Sequence, residues 1–354
     1  MNPRRRNSLG RTGVWVDQLA LGLVPLGNLS RAISDEQAEE VLETWWARGL
    51  RTFDVAPVYG FGVAEERLGR FLRGKPRSEF TVSTKVGRPV KFGAPPDPDL
   101  VMPDGSPQFR ATPPGVNPYY DYSRDGVLRS LEQSLARLQL DRVDYVHIHD
   151  PDDHVHQAID EAFVTLAELR AQGVIGAIGT GTNWSWVGLA MIHECDLDCL
   201  MLAGRYSILD HEGLRELLPM SERRGISVLM GGVFNGGFVA DPKPGGMFQY
   251  RPCYDEELIA RARRIKDVCE RYGVSIKGAA LQFPLGHPAV VSVVMGAGSP
   301  EHAAELVDLF EVDIPDTLWD ELLAEGLLPP DAPVPRHRHS DSLASRLGNE
   351  RRAG

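Results

Sequence analysis

Five ionisable side chains stand at or just beyond three short apolar runs, and their types suit one kind of chemistry. The run 52–55 carries Asp54 and leads to Tyr59, the run 80–84 leads into Lys85, and the run 143–148 leads through His147 to His149. A free tyrosine, with a pKa of about 10, is a poor proton-transfer group at neutral pH. A lysine ammonium beside it favours the phenolate and lowers that pKa, and an aspartate can hold the lysine in place. A histidine on the next strand can donate to a carbonyl or alcohol oxygen and polarise it. Such a group moves a proton on or off oxygen while hydride leaves or reaches the adjoining carbon. Hydride needs a cofactor, because no side chain carries it.

Singly, each residue has a plainer explanation. Asp54 would serve as a helix cap, and Tyr59 as an interface tyrosine. Lys85 is harder to set aside, since a lysine ending an apolar strand must snorkel or find a carboxylate. The combination carries the information.

The elements that position them alternate. Apolar runs at 19–23, 52–55, 80–84, 143–148, 175–179, 200–202, 226–230 and 290–295 read as strands. Helical stripes lie between them: Leu128, Leu131, Leu135 and Leu138; Val155, Ile159, Phe163, Leu166 and Leu169; Leu258, Ala262, Ile265, Cys269 and Tyr272. Ser34 with Gln37 predicts a capping box, and Ser299-Pro300 predicts a cap followed by proline at the first helical position. Strands apolar on both faces, each followed by a helix, predict a parallel α/β sheet. Eight of them close most simply into a (β/α)8 TIM barrel spanning residues 1–329. Such barrels carry their active sites at the carboxyl ends of the strands, which is where the five groups fall.

Three segments break the rhythm. Residues 5–17 read as a hairpin turning at Arg11-Thr12-Gly13, a plug for the barrel floor. Residues 87–122 form a long loop after strand three, ending in Tyr119, Tyr120 and Tyr122, and a loop of that length marks function. Residues 330–354, rich in Pro, Arg, His and Ser, predict a disordered tail.

Bulk composition excludes several classes. Asp and Glu number 49 against 38 Lys and Arg, a net charge of −11, which opposes a general nucleic-acid binder. Cys195, Cys199, Cys253 and Cys269 are too few for a disulfide framework and lack the second pair of a zinc site, so reduced, buried thiols are expected. The basic start Met1-Asn-Pro-Arg-Arg-Arg runs into polar residues, unlike a signal peptide, and no apolar stretch reaches the roughly 18 residues of a membrane span. A cytoplasmic protein is expected, with its oligomeric state open.

The motifs Phe53-Asp54-Val-Ala-Pro-Val-Tyr59-Gly, Ser83-Thr84-Lys85-Val86-Gly87, Ser130-Leu-Glu-Gln-Ser-Leu-Ala-Arg-Leu and Asp144-Tyr-Val-His-Ile-His149-Asp-Pro resemble the aldo-keto reductase superfamily. The opening Leu9-Gly-Arg-Thr-Gly-Val-Trp-Val is similar to that family's first hairpin. The resemblance implies Tyr59 as general acid/base, Lys85 and Asp54 as its tuning pair, and His149 as the group that orients the oxygen. His149 fits better than His147, because it precedes Asp-Pro where the family reads His-Trp-Pro.

The resemblance also implies a nicotinamide cofactor. Gly22, Leu23 and Asp54 would lie against it, Thr182-Asn183 would hold the carboxamide, and Gly232-Val233-Phe234-Asn235-Gly236-Gly237 would wrap the pyrophosphate. Gly296-Ala297-Gly298-Ser299 would take the adenosine end, with His302 and Glu305 near the adenine. Gly231 stands where many members stack an aromatic ring, and a glutamine expected near Ala203 is absent. Gly298 and Ser299 are neutral where NADP-preferring members place basic residues, and Glu305 would repel a phosphate, so NAD is expected, with NADP possible.

Leu202-Ala-Gly-Arg-Tyr-Ser-Ile-Leu, Asp121-Tyr-Ser-Arg-Asp-Gly-Val and Gly179-Thr-Gly-Thr-Asn-Trp are similar to a branch of dehydrogenases that act on D-threo-aldoses such as L-fucose, and on pyridoxal. A small carbonyl or sugar substrate is implied, its C1 hydroxyl oxidised to a lactone, with Tyr120 and Trp184 beside Tyr59 and His149 as substrate contacts. An NADPH-dependent aldehyde or ketone reductase is the alternative within the family. Outside it stand a metal-dependent hydrolase built on His147, His149, His154, His156, Asp150, Asp152 and Asp153, a Schiff-base aldolase on Lys85, and a non-catalytic nucleotide-binding barrel.

Overall fold

The computed structural model describes residues 1–336 apart from positions 103 and 250. Eight strands form a closed parallel barrel in chain order: β1 Leu19–Gly22, β2 Thr52–Asp54, β3 Thr81–Val86, β4 Tyr145–His149, β5 Ala177–Thr182, β6 Cys199–Ala203, β7 Ser227–Gly231 and β8 Val290–Met295. Around it run α1 Asp35–Ala47, α2 Val63–Leu72, α3 Arg124–Leu138, α4 Val164–Ala171, α5 Ser185–Glu194, α6 Leu217–Arg224, α7 Glu256–Arg271, α8 Ile276–Gln282, α9 Pro300–Glu311 and α10 Asp316–Ala324.

Each expected strand is present, with ends shifted by at most three residues. The shift has a cause. Side chains alternate between the two faces of a strand. On β3 and β4 the outward residues Val82, Val86, Val146 and Ile148 join the apolar core under the helices. The alternate positions Ser83, Lys85, His147 and His149 turn inward. The apolar run therefore stops before the strand does, and Lys85 and Thr182 lie inside strands rather than past them.

The helical stripes also needed correction. On α3 the buried positions are Val127, Ser130, Leu131, Ser134 and Leu138, whereas Leu128 is exposed. Two serines pack where a leucine was expected. Before α4 the chain makes a π-helical turn, Ala158–Phe163, which inserts residues and rotates the buried face onto Ala158, Ala162 and Leu166. On α7 the buried stripe is centred on Ile259, Ala262, Ile265, Val268 and Cys269.

The hairpin Arg6–Ser8 with Trp15–Asp17 closes the amino-terminal end of the barrel. Leu9 and Val16 are fully buried with Ala20, Tyr145, Ala177, Cys199 and Leu229 inside it. Gly10 allows the approach: its φ is +52°, and a Cβ there would lie 2.7 Å from the Asp198 carbonyl oxygen. The cap at Ser34 is half the expected box. Its Oγ accepts from Gln37 N at 3.1 Å, but the Gln37 side chain donates to Gly298 O at 2.9 Å instead of turning back.

Two long loops cover the opposite end. The 87–122 loop contains a hairpin, Val90–Phe92 with Val116–Pro118, and a second hairpin after β7 pairs Gly246–Phe248 with Arg251–Cys253. Within the segment expected as a tail, residues 332, 333 and 336 contact the folded chain. Ala332 is buried, the Pro333 carbonyl oxygen accepts from Tyr206 Oη at 3.5 Å, and Arg336 pairs with Asp320 at 2.7 Å. Residues 337–354 lie outside the described residues. Among the described residues no helix is long and apolar enough to cross a membrane.

Candidate active site

Strand register stacks the reactive groups. Asp54 of β2 pairs with Ser83 of β3, Lys85 of β3 pairs with His147 of β4, and His149 pairs with Gly181 of β5. His149 thus stands one inward layer nearer the mouth than His147. His147 is fully buried, and neither ring nitrogen has a hydrogen-bond partner among the described residues. Burial, partly opposed by Asp54, pushes its pKa down to about 4. It is packed as a core residue.

Lys85 and Asp54 are a buried pair, with side chains 1% and 2% exposed. Lys85 Nζ donates to Asp54 Oδ1 at 2.5 Å and to the Val55 carbonyl at 3.0 Å, while Ser83 Oγ donates to Asp54 Oδ2 at 2.6 Å. Burial works against the ammonium, but Asp54 and Tyr59 outweigh it and hold Lys85 above its usual range. The Tyr59 ring centroid is 4.7 Å from Lys85 Nζ, and the His149 ring meets it edge-on at 5.9 Å. The loop bearing Tyr59 is pinned by two glycines in contact. A Cβ on Gly60 would fall 2.4 Å from Gly27 O, so neither position tolerates a side chain.

The electrostatics correct one expectation. Burial pushes the Tyr59 phenol up to about 12, with Lys85 pulling it back and Asp54 adding to the rise. Lys85 spends much of its field on Asp54, so the phenol stays protonated at neutral pH rather than becoming more acidic than a free tyrosine. His149 is held well below its usual value, first by burial and then by Lys85, Arg88 and His147, so it is neutral.

The opposite side of the mouth is made of small residues. Inward positions at the ends of β1, β5, β6 and β7 are Gly22, Gly181, Ala203 and Gly231. A Cβ on Gly181 would have nothing nearer than Met201 Cβ at 3.9 Å and Lys85 Cε at 4.0 Å, which leaves room above it. Gly231 and Ala203, where an aromatic and a glutamine were expected, thus stand as small residues on the side of the mouth facing Lys85, Tyr59 and His149. A planar nicotinamide ring fits there. Leu23, fully buried, follows Gly22 and donates its N–H to the Asp54 carbonyl at 2.8 Å.

Other expected cofactor residues divide. Thr182 Oγ1 donates to Asp152 at 3.2 Å and accepts from Trp184 N at 3.0 Å, and the Asn183 carbonyl accepts from Arg205 at 2.8 Å. Gly232 and Gly237 turn with φ of +64° and +92°, Val233 is buried, and Phe234 packs at the core edge. The Asn235 side chain turns into the fold. It is buried at φ +48°, accepts from Ser207 Oγ at 2.7 Å and donates to Gly204 O at 3.2 Å. Asn235→Ala is expected to cost about 1–3 kcal/mol in unfolding free energy. Denaturant unfolding checks this, and a stability unchanged from the wild type would contradict it.

At the far end, Gly296 lies against Pro25, whose Cγ would be 2.7 Å from an added Cβ, and Ala297 is buried. Ser299 caps α9, accepting from His302 N at 3.2 Å, with Pro300 first in the helix. Two features were not legible in the sequence. Arg31 donates to Gly298 O at 2.9 Å, bringing a guanidinium to a segment that reads as neutral. Glu305 is paired with Lys277, so its charge is offset and does not stand free to repel a phosphate.

Among the aromatic residues of the 87–122 loop, Tyr122 stands apart. It is fully buried and its hydroxyl donates to the His149 carbonyl at 2.6 Å, so it supports β4 and does not meet a substrate. Tyr120 and Trp184 keep partial exposure at the mouth, at 39% and 38%; Arg88 lies over Tyr120 and Arg205 over Trp184. The histidines that might have completed a metal cage diverge, His154 packing between Tyr120 and Tyr122. Among the described residues no three His, Cys, Asp or Glu side chains gather as ligands. A cleft of about 690 Å³ lined by Asp210, His211, Arg261 and Asp331 lies beside α7, and none of the reactive four reaches it.

A barrel mouth that sets a tyrosine and a neutral histidine opposite small residues fits an oxidoreductase working on a carbonyl or alcohol carbon. Comparison with known proteins narrows the class: the model of the aldo/keto reductase family matches residues 18–324, and the chain belongs to that family. It is an enzyme of a family that uses nicotinamide cofactors. It is 40% identical to a pyridoxal 4-dehydrogenase of Microbacterium luteolum, over 91% of this chain and 98% of that one. It is 38% identical to a D-threo-aldose 1-dehydrogenase of a Pseudomonas species, over 90% and 96%. Among solved structures, a glycerol dehydrogenase of Gluconobacter oxydans shares the fold with a TM-score of 0.73 at 21% identity, covering 95% of this chain and 98% of that one.

Proposed function

We propose that the protein is a dehydrogenase that oxidises a D-threo-aldose type of sugar at C1 to the lactone, with NAD as its cofactor and Tyr59, Lys85, Asp54 and His149 as its catalytic set. The observation that carries this is the buried Lys85–Asp54 pair lying beneath Tyr59, with His149 meeting that ring at the barrel mouth. When bound, the nicotinamide takes or gives the hydride; the chain's own residues handle the proton and the oxygen.

His149 donates to the substrate oxygen, and Tyr59 takes the hydroxyl proton in oxidation or supplies it in reduction. Lys85 favours the phenolate, and Asp54 keeps Lys85 in place. Gly22, Gly181, Ala203 and Gly231 receive the flat ring, Thr182 and Asn183 its carboxamide, and Gly232 to Gly237 the pyrophosphate. Tyr120 and Trp184 offer faces to the sugar.

The relatives at 38% and 40% identity support aldose and pyridoxal as the substrates to compare. The test is formation of reduced cofactor at alkaline pH across aldoses and pyridoxal. Fastest turnover of a D-threo-aldose is expected; pyridoxal turned over while aldoses are inert would move the assignment to the second reading.

The tyrosine predicts a pH profile. With a phenol raised to about 12, the base form grows tenfold per unit over the neutral and alkaline range. Oxidation should therefore rise steadily with pH, while reduction, which uses the protonated phenol, stays level. An oxidation rate flat from neutral to strongly alkaline pH would contradict a proton-accepting role for Tyr59.

Arg31 is the residue beside Gly298 through which NADP would gain affinity. Arg31→Ala is expected to weaken NADP binding and leave NAD within about twofold, since a phosphate–guanidinium contact is charge-assisted. Equilibrium binding by fluorescence quenching checks this. Wild-type protein holding NADP more tightly than NAD would overturn the NAD assignment.

A further inference from the structure

Immediately after His149 the chain places a second, half-buried ionisable group whose position the proposed mechanism has not used. Asp150 has φ +44°, a left-handed conformation that aspartate and asparagine adopt more readily than other side-chain-bearing residues. Three contacts hold it there. Its N–H donates to Gly181 O at 2.9 Å, and the Tyr122 hydroxyl donates to the carbonyls of both His149 and Asp150, at 2.6 and 2.9 Å. The turn brings the Asp150 carboxylate back towards the barrel axis, where Oδ2 lies 3.5 Å from His149 Nε2. Arg88 closes the arrangement. Its side chain, 8% exposed, donates to Asp150 Oδ2 at 2.9 Å and to Asp97 Oδ2 at 3.0 Å.

A neutral imidazole carries one N–H, and which nitrogen holds it is set by what faces the other. His149 Nδ1 is buried and has no hydrogen-bond partner among the described residues. A proton at Nδ1 would be an orphaned buried donor, and the Nε2 lone pair would then point at a carboxylate. A proton at Nε2 removes both penalties. The charges facing His149 are Lys85 from β3, Arg88 from the loop after it, His147 from its own strand, and Asp150. The first three each oppose a second proton. Arg88 thus neutralises Asp150 without removing its directional effect.

We propose that Asp150, clamped by Arg88, is a positioning residue that fixes His149 as the Nε2–H tautomer, whose N–H, held by Asp150 only across 3.5 Å, is shared with a substrate oxygen when one is bound. This rests on the role proposed for His149, and it adds a specific cause for the left-handed turn.

Asp150→Asn separates charge from shape. Asparagine tolerates a left-handed φ, matches aspartate in size and keeps an oxygen for Arg88. In serine proteases Asp→Asn beside the catalytic histidine costs about 10⁴ in kcat through the wrong tautomer; across a longer 3.5 Å contact we expect a loss of about 10–100-fold, with cofactor binding within about twofold. Nitrogen-15 NMR of histidine-labelled protein should show His149 protonated at Nε2 in the wild type and shifted towards Nδ1 in the variant. Asp150→Glu should recover part of both readouts. An unchanged His149 tautomer, or kcat within about twofold of wild type, overturns the proposal.

Arg88→Gln tests the link from the other side, and serves also if Asp150→Asn does not fold. With the guanidinium gone and Asp150 no longer clamped, the His149 tautomer should shift towards Nδ1; an unchanged tautomer overturns the proposal. The tautomer readout does not depend on turnover. Tyr59→Phe retaining full activity would therefore sink the proton-transfer reading while leaving this one to stand or fall by NMR.

Discussion

Tyr59→Phe is expected to lower kcat for oxidation by about 10²–10⁴-fold while cofactor binding stays near wild type, because a phenyl ring keeps the packing and loses the transferable proton. The geometry makes the substitution clean. The Tyr59 ring packs edge-on against His149 and over Lys85 Nζ, and those ring contacts persist in phenylalanine. What disappears is the hydroxyl whose proton the substrate oxygen exchanges. A residual rate within about tenfold of the wild type would mean that another group moves the proton, since positioned acid–base catalysis is worth more than that. Steady-state kinetics with equilibrium binding of the cofactor separates loss of chemistry from loss of the ternary complex.

Lys85→Met carries the second large expected effect, on stability as well as rate. Removing one partner of a buried ion pair leaves an uncompensated charge, at a cost of about 3–5 kcal/mol. Asp54 would keep only its bond from Ser83, at 2% exposure. The rate should fall too, because Tyr59 loses the one neighbour that pulls its pKa downward while burial and Asp54 continue to raise it. A double substitution distinguishes the two losses. Lys85→Met with Asp54→Leu removes both charges, so it should regain much of the stability, as replaced buried pairs commonly do. It should recover none of the activity. Stability equal in the single and double variants would contradict the account of Asp54 as a charge that Lys85 must balance.

The four residues proposed as catalytic could be picked out in the sequence because their signals are local. Each lies at an expected position near the carboxyl end of an apolar run, and strand alternation alone separates inward Lys85 and His149 from outward Val86 and Ile148. The eight strands and most helices followed from the same periodicities. Helix faces slipped where small residues pack, as at Ser130 and Ser134, or where a π turn adds residues, as at Ala158–Phe163. The remaining misses are long-range pairings that no spacing announces. Arg31 reaches Gly298 and Lys277 reaches Glu305 across the fold, and the Asn235 side chain turns inward to Ser207. Asp150 was visible only as an acidic neighbour of histidine. Its part in the site depends on a left-handed turn and on Arg88, neither of which the sequence pattern specifies.

Hydride transfer from the substrate carbon is the centre of this account, and isotopic labelling addresses it directly. The enzyme is given an aldose deuterated at C1 together with oxidised NAD, and the reduced cofactor is isolated and its deuterium content measured by mass spectrometry. The account predicts deuterium in the reduced nicotinamide, with its formation slowed relative to the unlabelled sugar. A lactone formed with no deuterium in the cofactor would contradict it.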